Sequence, residues 1–404
     1  MKNLFYYLEN DKTAVLFHNE SMNFYRVYDE KIKNYLKSFF IEGKYSRETE
    51  NILNDLLIEI NKEMEIKRKS ENKNIGKRIL TKLVLMVTND CNLRCKYCYA
   101  KGGSYGLSIN YMTITEAKNI LDYFTKNFER INVIQIFGGE PLLNYKVIKF
   151  ICEYFKFLNT SGFINYMPRF AIVTNGTYFS NEIIDLMKDY DLFKFFREKF
   201  GSYITHITPV CIQSDNSLSL NNFSLIVEEY TKEAVEYTFE TMLNEKIVNS
   251  STIITAVIDR LINKTPILYI CPAGVETLSV RWDGNIYPCF MFTGSNMYVG
   301  NLSSESEEII SNVKSFVLKY NKKDLDSICA NCWAKYVCSL CLGSFGEDIN
   351  NKDKSYGADI MCIMIQTIIK NILLKLAEIK ASQEKWQIVQ EVIQRHSRKI
   401  GKIY

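Results

Sequence analysis

The feature that most constrains this chain is Cys91-Asn-Leu-Arg-Cys95-Lys-Tyr-Cys98, placed directly after the continuous apolar run of residues 83–87. A run of that kind reads as a strand buried on both faces of a parallel sheet. Sites in such sheets gather at the C-terminal ends of strands, where this cysteine cluster falls. Three thiolates spaced x3 and x2 can hold three irons of a [4Fe–4S] cube and leave the fourth iron without a protein ligand. An iron with an open site can coordinate a substrate or cofactor. Histidine usage agrees: His18, His206 and His396 lie far apart and share no motif. A His-built zinc or non-haem iron site needs several imidazoles, so the metal expected here is held by sulfur.

The twelve cysteines fall into groups. Cys91, Cys95 and Cys98 are followed by a looser pair, Cys271 and Cys289, then by Cys329, Cys332, Cys338 and Cys341, and last by Cys362. Cys152 and Cys211 stand alone in apolar surroundings and read as core packing. The first residues run into charge too early for a secretory signal. No stretch reaches the roughly 18 to 20 uncharged apolar residues that span a bilayer, and the best candidate, 365–376, is interrupted by Lys370 and Lys375. Lys+Arg 50 against Asp+Glu 46 leaves a net charge of +4, too little to draw the chain to nucleic acid or membrane. The expectation is a cytoplasmic protein with neither partner, whose clustered cysteines are ligands rather than disulfides.

Length allows two to three domains at roughly 150 residues each. Residues 1–61 carry three short apolar runs (4–8, 14–17, 23–27) and two helical patterns (29–40, 46–61, the second opened by Ser46), a small α+β unit. Residues 62–79 are charged and read as a linker. From 80 to 265 the pattern is α/β: apolar strands at 83–87, 133–137 and 170–173 alternate with helices near 115–128 and 144–157, as in a partial (β/α) barrel. Residues 266–364 are cysteine-rich, with a hairpin signal over 277–288 turning at Asp283-Gly284. The remaining residues, 365–404, form one helical pattern to about residue 395.

On these residues the chain resembles the radical S-adenosylmethionine enzymes, whose signature is CxxxCxxC with an aromatic residue, here Tyr97, before the last cysteine. Gly138-Gly139-Glu140 ends the second strand like that family's GGE motif, which binds the amino group of the methionine moiety. Glycines permit close backbone approach, and a carboxylate can pair with an ammonium. Thr174-Asn175-Gly176-Thr177 is similar to the family's Thr-Asn-Gly segment. The resemblance thus implies cofactor-binding roles for Tyr97, Gly138, Gly139, Glu140 and Asn175. The cysteine-rich region resembles the SPASM extension of the same superfamily. Twelve residues separate Cys271 from Gly284, Gly284-x4-Cys289 and Cys329-x2-Cys332-x5-Cys338 fit that extension's pattern, and Cys338-x2-Cys341 is one residue short. By this resemblance Cys329, Cys332, Cys338 and Cys362 hold one auxiliary [4Fe–4S] cluster. Cys271, Cys289 and Cys341 then give the other three ligands, leaving either an open iron or a fourth ligand from elsewhere. A zinc site on Cys329–Cys341 is the rival, but its middle gap is short for a zinc ribbon.

The resemblance implies three [4Fe–4S] clusters, S-adenosylmethionine, and an electron donor such as flavodoxin or ferredoxin. It also implies reductive cleavage to a 5′-deoxyadenosyl radical that modifies a ribosomally made, Cys-containing precursor peptide, with thioether crosslinks as the product. Residues 1–61 resemble the winged-helix leader-peptide recognition unit of peptide-modifying members. The alternatives are formylglycine formation of the sulfatase-maturase kind, carbon–carbon crosslinking, or a catalytically impaired peptide-binding partner. The last is raised by a departure: only 93 residues lie between Thr177 and Cys271, and the next strand candidate is 204–212, so the barrel wall is expected to be shortened. No residue stands out as the catalytic base.

Overall fold

The computed structural model describes residues 4–68, 78–178, 180–190, 223–343 and 356–401. The chain divides into two compact units, one of Met1–Ile75, Ser202–Ile270 and Lys323–Lys402, the other of Gly76–Gly201, Cys271–Lys322 and Ile403–Tyr404. The first unit begins with an antiparallel sheet of β1 (Phe5–Glu9), β2 (Ala14–His18) and β3 (Asn23–Val27) in that order. Every residue of the central strand is buried. Helices α1 (Glu30–Phe40) and α2 (Arg47–Arg68) cover it, with Leu36, Phe39, Leu53 and Ile60 packed against Phe5 and Leu16. The sequence places a linker from residue 62, yet α2 continues to Arg68. Lys, Glu and Met are good helix formers, so a charged run need not end a helix.

The second unit is built on a mixed sheet. In chain order come β4 (Ile79–Thr88), α3 (Ile114–Asn127), β5 (Arg130–Gly138), α4 (Tyr145–Thr160), β6 (Arg169–Ile172) and α5 (Asn181–Asp189). Thr113 and Glu116 form a reciprocal cap at the start of α3. Strands β6, β5 and β4 are parallel neighbours, as alternating strand and helix requires. The strand candidate 204–212, with Cys211 and His206, lies outside the described residues.

Helices α6 (Phe223–Asn244) and α7 (Thr252–Asn263) fall in the first unit, which corrects their expected place in a barrel of 80–265. Their apolar faces meet two later helices, α9 and α10 below, which amphipathicity alone could not foretell. The sheet is extended instead by β7 (Thr277–Arg281), parallel to β4, then antiparallel β8 (Asn285–Tyr287) and β9 (Gly300–Asn301). The order β6-β5-β4-β7-β8-β9 puts β4 inside, with its cysteine-bearing end framed by neighbours. The α/β fold class therefore stands, and the Asp283-Gly284 hairpin joins the same sheet rather than a separate one. Helix α8 (Ser306–Phe316) follows.

The expected single C-terminal helix is two, α9 (Tyr356–Lys380) and α10 (Gln383–Gly401). Ser382 separates them and caps the second, accepting from the backbone N–H of Lys385 and Trp386. Residues Ile360–Lys380 form a helix long and apolar enough to cross a membrane by length and composition, although Lys370 and Lys375 interrupt its apolar run. The two lysines do not break the helix, and Lys375 pairs with Glu236 on α6. Just over half of the segment, 56%, is buried within the fold, with Ile365, Ile369, Ile372 and Leu373 in the core.

Candidate cluster and cofactor site

The site in the second unit starts from two glycines. A register shift between Met86 and Thr88 turns the end of β4 toward β5. Gly139 N–H then donates to Thr88 O at 3.0 Å, and Glu140 N–H donates to Asp90 O at 2.7 Å. A Cβ on Gly138 would collide with the Thr88 carbonyl, and one on Gly139 with that of Asp90. Glycine is required at both positions because the cysteine-bearing loop passes this close. Gly103 completes the approach: at φ +97° a Cβ there would lie 2.7 Å from Gly139 Cα and 3.0 Å from Cys91 Cβ.

Glu140 is fully buried. Its Oε1 accepts from Leu142 N–H and from the Thr174 hydroxyl, each at 2.9 Å, and its Oε2 accepts from Asn175 N–H at 2.8 Å. The carboxylate thus ties the end of β5 to the segment following β6. A carboxylate has about four acceptor sites, so capacity for one more donor remains beside this structural use. Asn175 carries the linkage on to the cysteines. Its Nδ2 donates to Cys91 Sγ at 3.7 Å and to Asn92 Oδ1 at 2.9 Å, while its Oδ1 accepts from Thr177. Hydrogen bonds to ligand sulfur are one lever on cluster potential. Tyr97 is 55% exposed, and Cys91, Cys95 and Cys98 are partly accessible.

Sequence reasoning missed the groups that hold this loop in place. Asn89, buried at the end of β4, donates to Ser104 O and Ser108 O and accepts from Asn110 N–H at 2.6 Å. Asp90 accepts from Tyr111 OH at 2.6 Å and from Cys91 N–H at 2.8 Å. The only local signal is an Asn-Asp pair directly after an apolar strand.

The auxiliary cysteines are divided between the units. In the second, Gly274 N–H donates to Pro288 O at 3.0 Å, bringing the loop after Cys271 beside the residue preceding Cys289. The buried Asn321 clamps that loop through Cys271 N–H, Cys271 O and Ala273 O. In the first unit, Cys329, Cys332 and Cys338 sit on consecutive turns, Cys332 N–H donating to Cys329 O and Cys338 N–H to Ala334 O. Asp326 accepts from the N–H groups of Ile328 and Cys329. Cys362 lies on α9.

Burial raises the thiols of Cys329 and Cys332, and pushes that of Cys338 up to about 11. Metal binds thiolate, so ligation here must release protons. All the described cysteines are free of disulfides. Among the described residues no three His, Cys, Asp or Glu side chains converge at single-ion range. A zinc ion draws four sulfurs to one point, whereas a cubane's ligands each hold a different iron and stand further apart. An all-thiolate donor set suits an iron–sulfur cluster. Cys152, buried in α4 with its thiol pushed well up, takes the packing role expected of it.

Comparison with known proteins agrees with this reading. Residues 85–196 match the radical SAM superfamily, and residues 271–333 match the SPASM iron–sulfur cluster-binding domain. An uncharacterized protein of Methanocaldococcus jannaschii is 37% identical over 110 residues, 27% of this chain and 35% of that one. The radical SAM cyclopropyl synthase TigE of Paramaledivibacter caminithermalis is 27% identical over 217 residues, 46% of this chain and 45% of that one. The chain spans less than half the length of the curated relatives it matches. Among solved structures, anSMEcpe with bound AdoMet has a TM-score of 0.56 at 15% identity, covering 77% of this chain and 98% of that one. The same protein with AdoMet and the Cp18Cys peptide has a TM-score of 0.53 at 14% identity, covering 74% and 98%. At those identities the likeness is one of fold. The chain carries a radical SAM domain and a SPASM iron–sulfur domain.

Proposed function

We propose that this chain is a radical S-adenosylmethionine enzyme that modifies a Cys-containing peptide, forming thioether crosslinks. The observation that carries the reading is the interlock of three strand ends: Glu140 and Asn175 join the Gly-Gly turn and the Thr-Asn-Gly-Thr segment to Cys91. When bound, a site-differentiated cluster on Cys91, Cys95 and Cys98 would supply the electron that cleaves S-adenosylmethionine. The chain's own residues bind and orient. The glycine turn lets the cofactor approach the backbone, Glu140 offers its remaining acceptor to the cofactor's ammonium, and Asn175 steadies the Cys91 sulfur. Tyr97, on the same loop, is accessible enough to contact the cofactor.

The peptide part of the reading rests on two supports. One is the pair Cys271 and Cys289 in the second unit, too few ligands for a cluster by themselves, where a substrate thiolate could add to the set. The other is the sheet β1-β2-β3, to whose edge a leader peptide would add as a strand. A similarly folded protein has a solved complex with a peptide, which suits this assignment. Three clusters, a flavodoxin or ferredoxin as electron donor, and a cytoplasmic setting complete the proposal. A second version, carbon–carbon bond formation, is favoured by the similarity to a cyclopropyl synthase.

The test is mass spectrometry of a candidate precursor peptide incubated with the reconstituted protein, S-adenosylmethionine and reductant. The thioether version expects a loss of two hydrogens per crosslink and one fewer alkylatable thiol. The same mass loss with an unchanged thiol count selects the carbon–carbon version. A peptide of unchanged mass, alongside continued cofactor cleavage, would overturn the assigned substrate class.

A further inference from the structure

Lys323 is 2% exposed, which is rare for a lysine. Its ammonium gives its three protons to backbone carbonyls: Ile267 O at 3.1 Å, Lys335 O at 2.6 Å and Cys338 O at 2.6 Å. No carboxylate pairs with it among the ion pairs of the described residues. The neighbouring Lys335 does have such a partner, Asp324 at 3.0 Å. A buried charge without a counter-charge costs several kcal/mol, so the fold holds an ammonium that calls for an anion. Arg260 repeats the arrangement: half-buried on α7, it donates from Nη1 to Val337 O at 3.2 Å. Burial lowers the Arg260 guanidinium and pulls the Lys323 ammonium down to about 8, while sulfur on Cys338 pushes both back up. The opposing group is Asp326, whose carboxylate faces Cys329 and accepts its N–H.

We propose that Lys323, assisted by Arg260, is the built-in counter-charge of the cluster held by Cys329, Cys332, Cys338 and Cys362, and sets that cluster's reduction potential. The proposal rests on the ligand assignment above. A cubane with four thiolates is dianionic when oxidised and gains a further negative charge when one electron is added from a reductant. A fixed positive charge beside Cys338 favours the reduced form. Carbonyl dipoles alone could not do this, because they present their negative ends to the ammonium and leave its charge to be matched from the other side. Lys323 acts here through charge and touches no reacting atom, so it is a positioning and tuning residue.

The test is a potentiometric titration of the full-length, iron- and sulfide-reconstituted protein with dithionite, followed by electron paramagnetic resonance, with iron counted per chain. Cys332→Ser identifies the signal of this cluster by removing it; loss of no signal would refute the ligand assignment, separately from the charge proposal. Lys323→Met should keep its iron and move that one signal to lower potential. The reduced-to-oxidised ratio at fixed potential should fall at least tenfold, about 59 mV for one electron, while the other signals stay in place. Iron retained with an unchanged potential would overturn the proposal and leave Lys323 as a structural tie. If Lys323→Met cannot hold iron, Arg260→Gln gives the same reading: a shift of the same sign supports the proposal, and no shift overturns it.

Discussion

The strand-end site around Cys91 and the loop Cys329–Cys338 both present sulfur, but they are built by different means. The first is held by close backbone approach. Gly138, Gly139 and Gly103 allow three chain segments to touch, the Glu140 carboxylate accepts from Thr174 and Asn175, and the amides of Asn89 and Asn175 add neutral donors. The second is held by charge, with a buried lysine gathering the carbonyls of the cysteine turns. The difference matters for function. A site that must admit a cofactor needs room and accessible cysteines, whereas a cluster fully ligated by protein can be buried and electrostatically tuned. The first should therefore be sensitive to added volume and the second to removed charge.

Gly139→Ala should break this contrast most severely if it is wrong. The new methyl group meets the backbone of Asp90, which cannot move as a side chain could. We expect a loss of about 3 kcal/mol or more in the second unit, read by thermal melting, and loss of S-adenosylmethionine binding. A variant that binds the cofactor normally would show that the close approach is dispensable.

A pH effect of comparable size is expected in the first unit. His18, buried on β2 against Phe5 with rings 4.8 Å apart, is held down to about 4 by burial. The unfolded chain, with an ordinary histidine near 6.5, binds the extra proton first as pH falls. Stability is thus complete above about 6.5 and is lost progressively toward 4, by roughly 3 kcal/mol. Amide exchange in β2 should show this window, and His18→Gln should flatten it.

Asn321→Ala should cost about 2 kcal/mol, since it strips three bonds from the Cys271 loop in a buried place. Iron bound through Cys271 and Cys289 should fall while that at Cys91 stays. Thr174→Val is the mildest change. It removes one of the three donors to Glu140, worth about 1 kcal/mol, and should weaken cofactor binding less than tenfold by calorimetry.

Much of the strand-end site could be read in the sequence because its signals are local. Cysteine spacing, a Gly-Gly-Glu after an apolar strand, and a Thr-Asn-Gly turn each declare themselves within a few residues. The strands β4 and β5 were legible for the same reason, though each runs further than its apolar centre. What escaped depends on distant partners. Nothing near Asn321 or Lys323 announces a clamp, because their acceptors lie up to 50 and 56 residues away. Nothing local to residues 223–263 says whether a sheet or α9 covers α6 and α7. The break between α9 and α10 turns on a single serine within a continuous helical pattern.

The central claim is that the strand-end cysteines, and not the auxiliary set, form the cofactor-cleaving site. The most direct measurement is release of 5′-deoxyadenosine when the reconstituted protein is reduced with S-adenosylmethionine present. The account predicts release from the wild-type chain, none from Cys95→Ala, and iron still bound at the auxiliary cysteines in that variant. No release from wild-type protein with its iron in place, or undiminished release from Cys95→Ala, would contradict it.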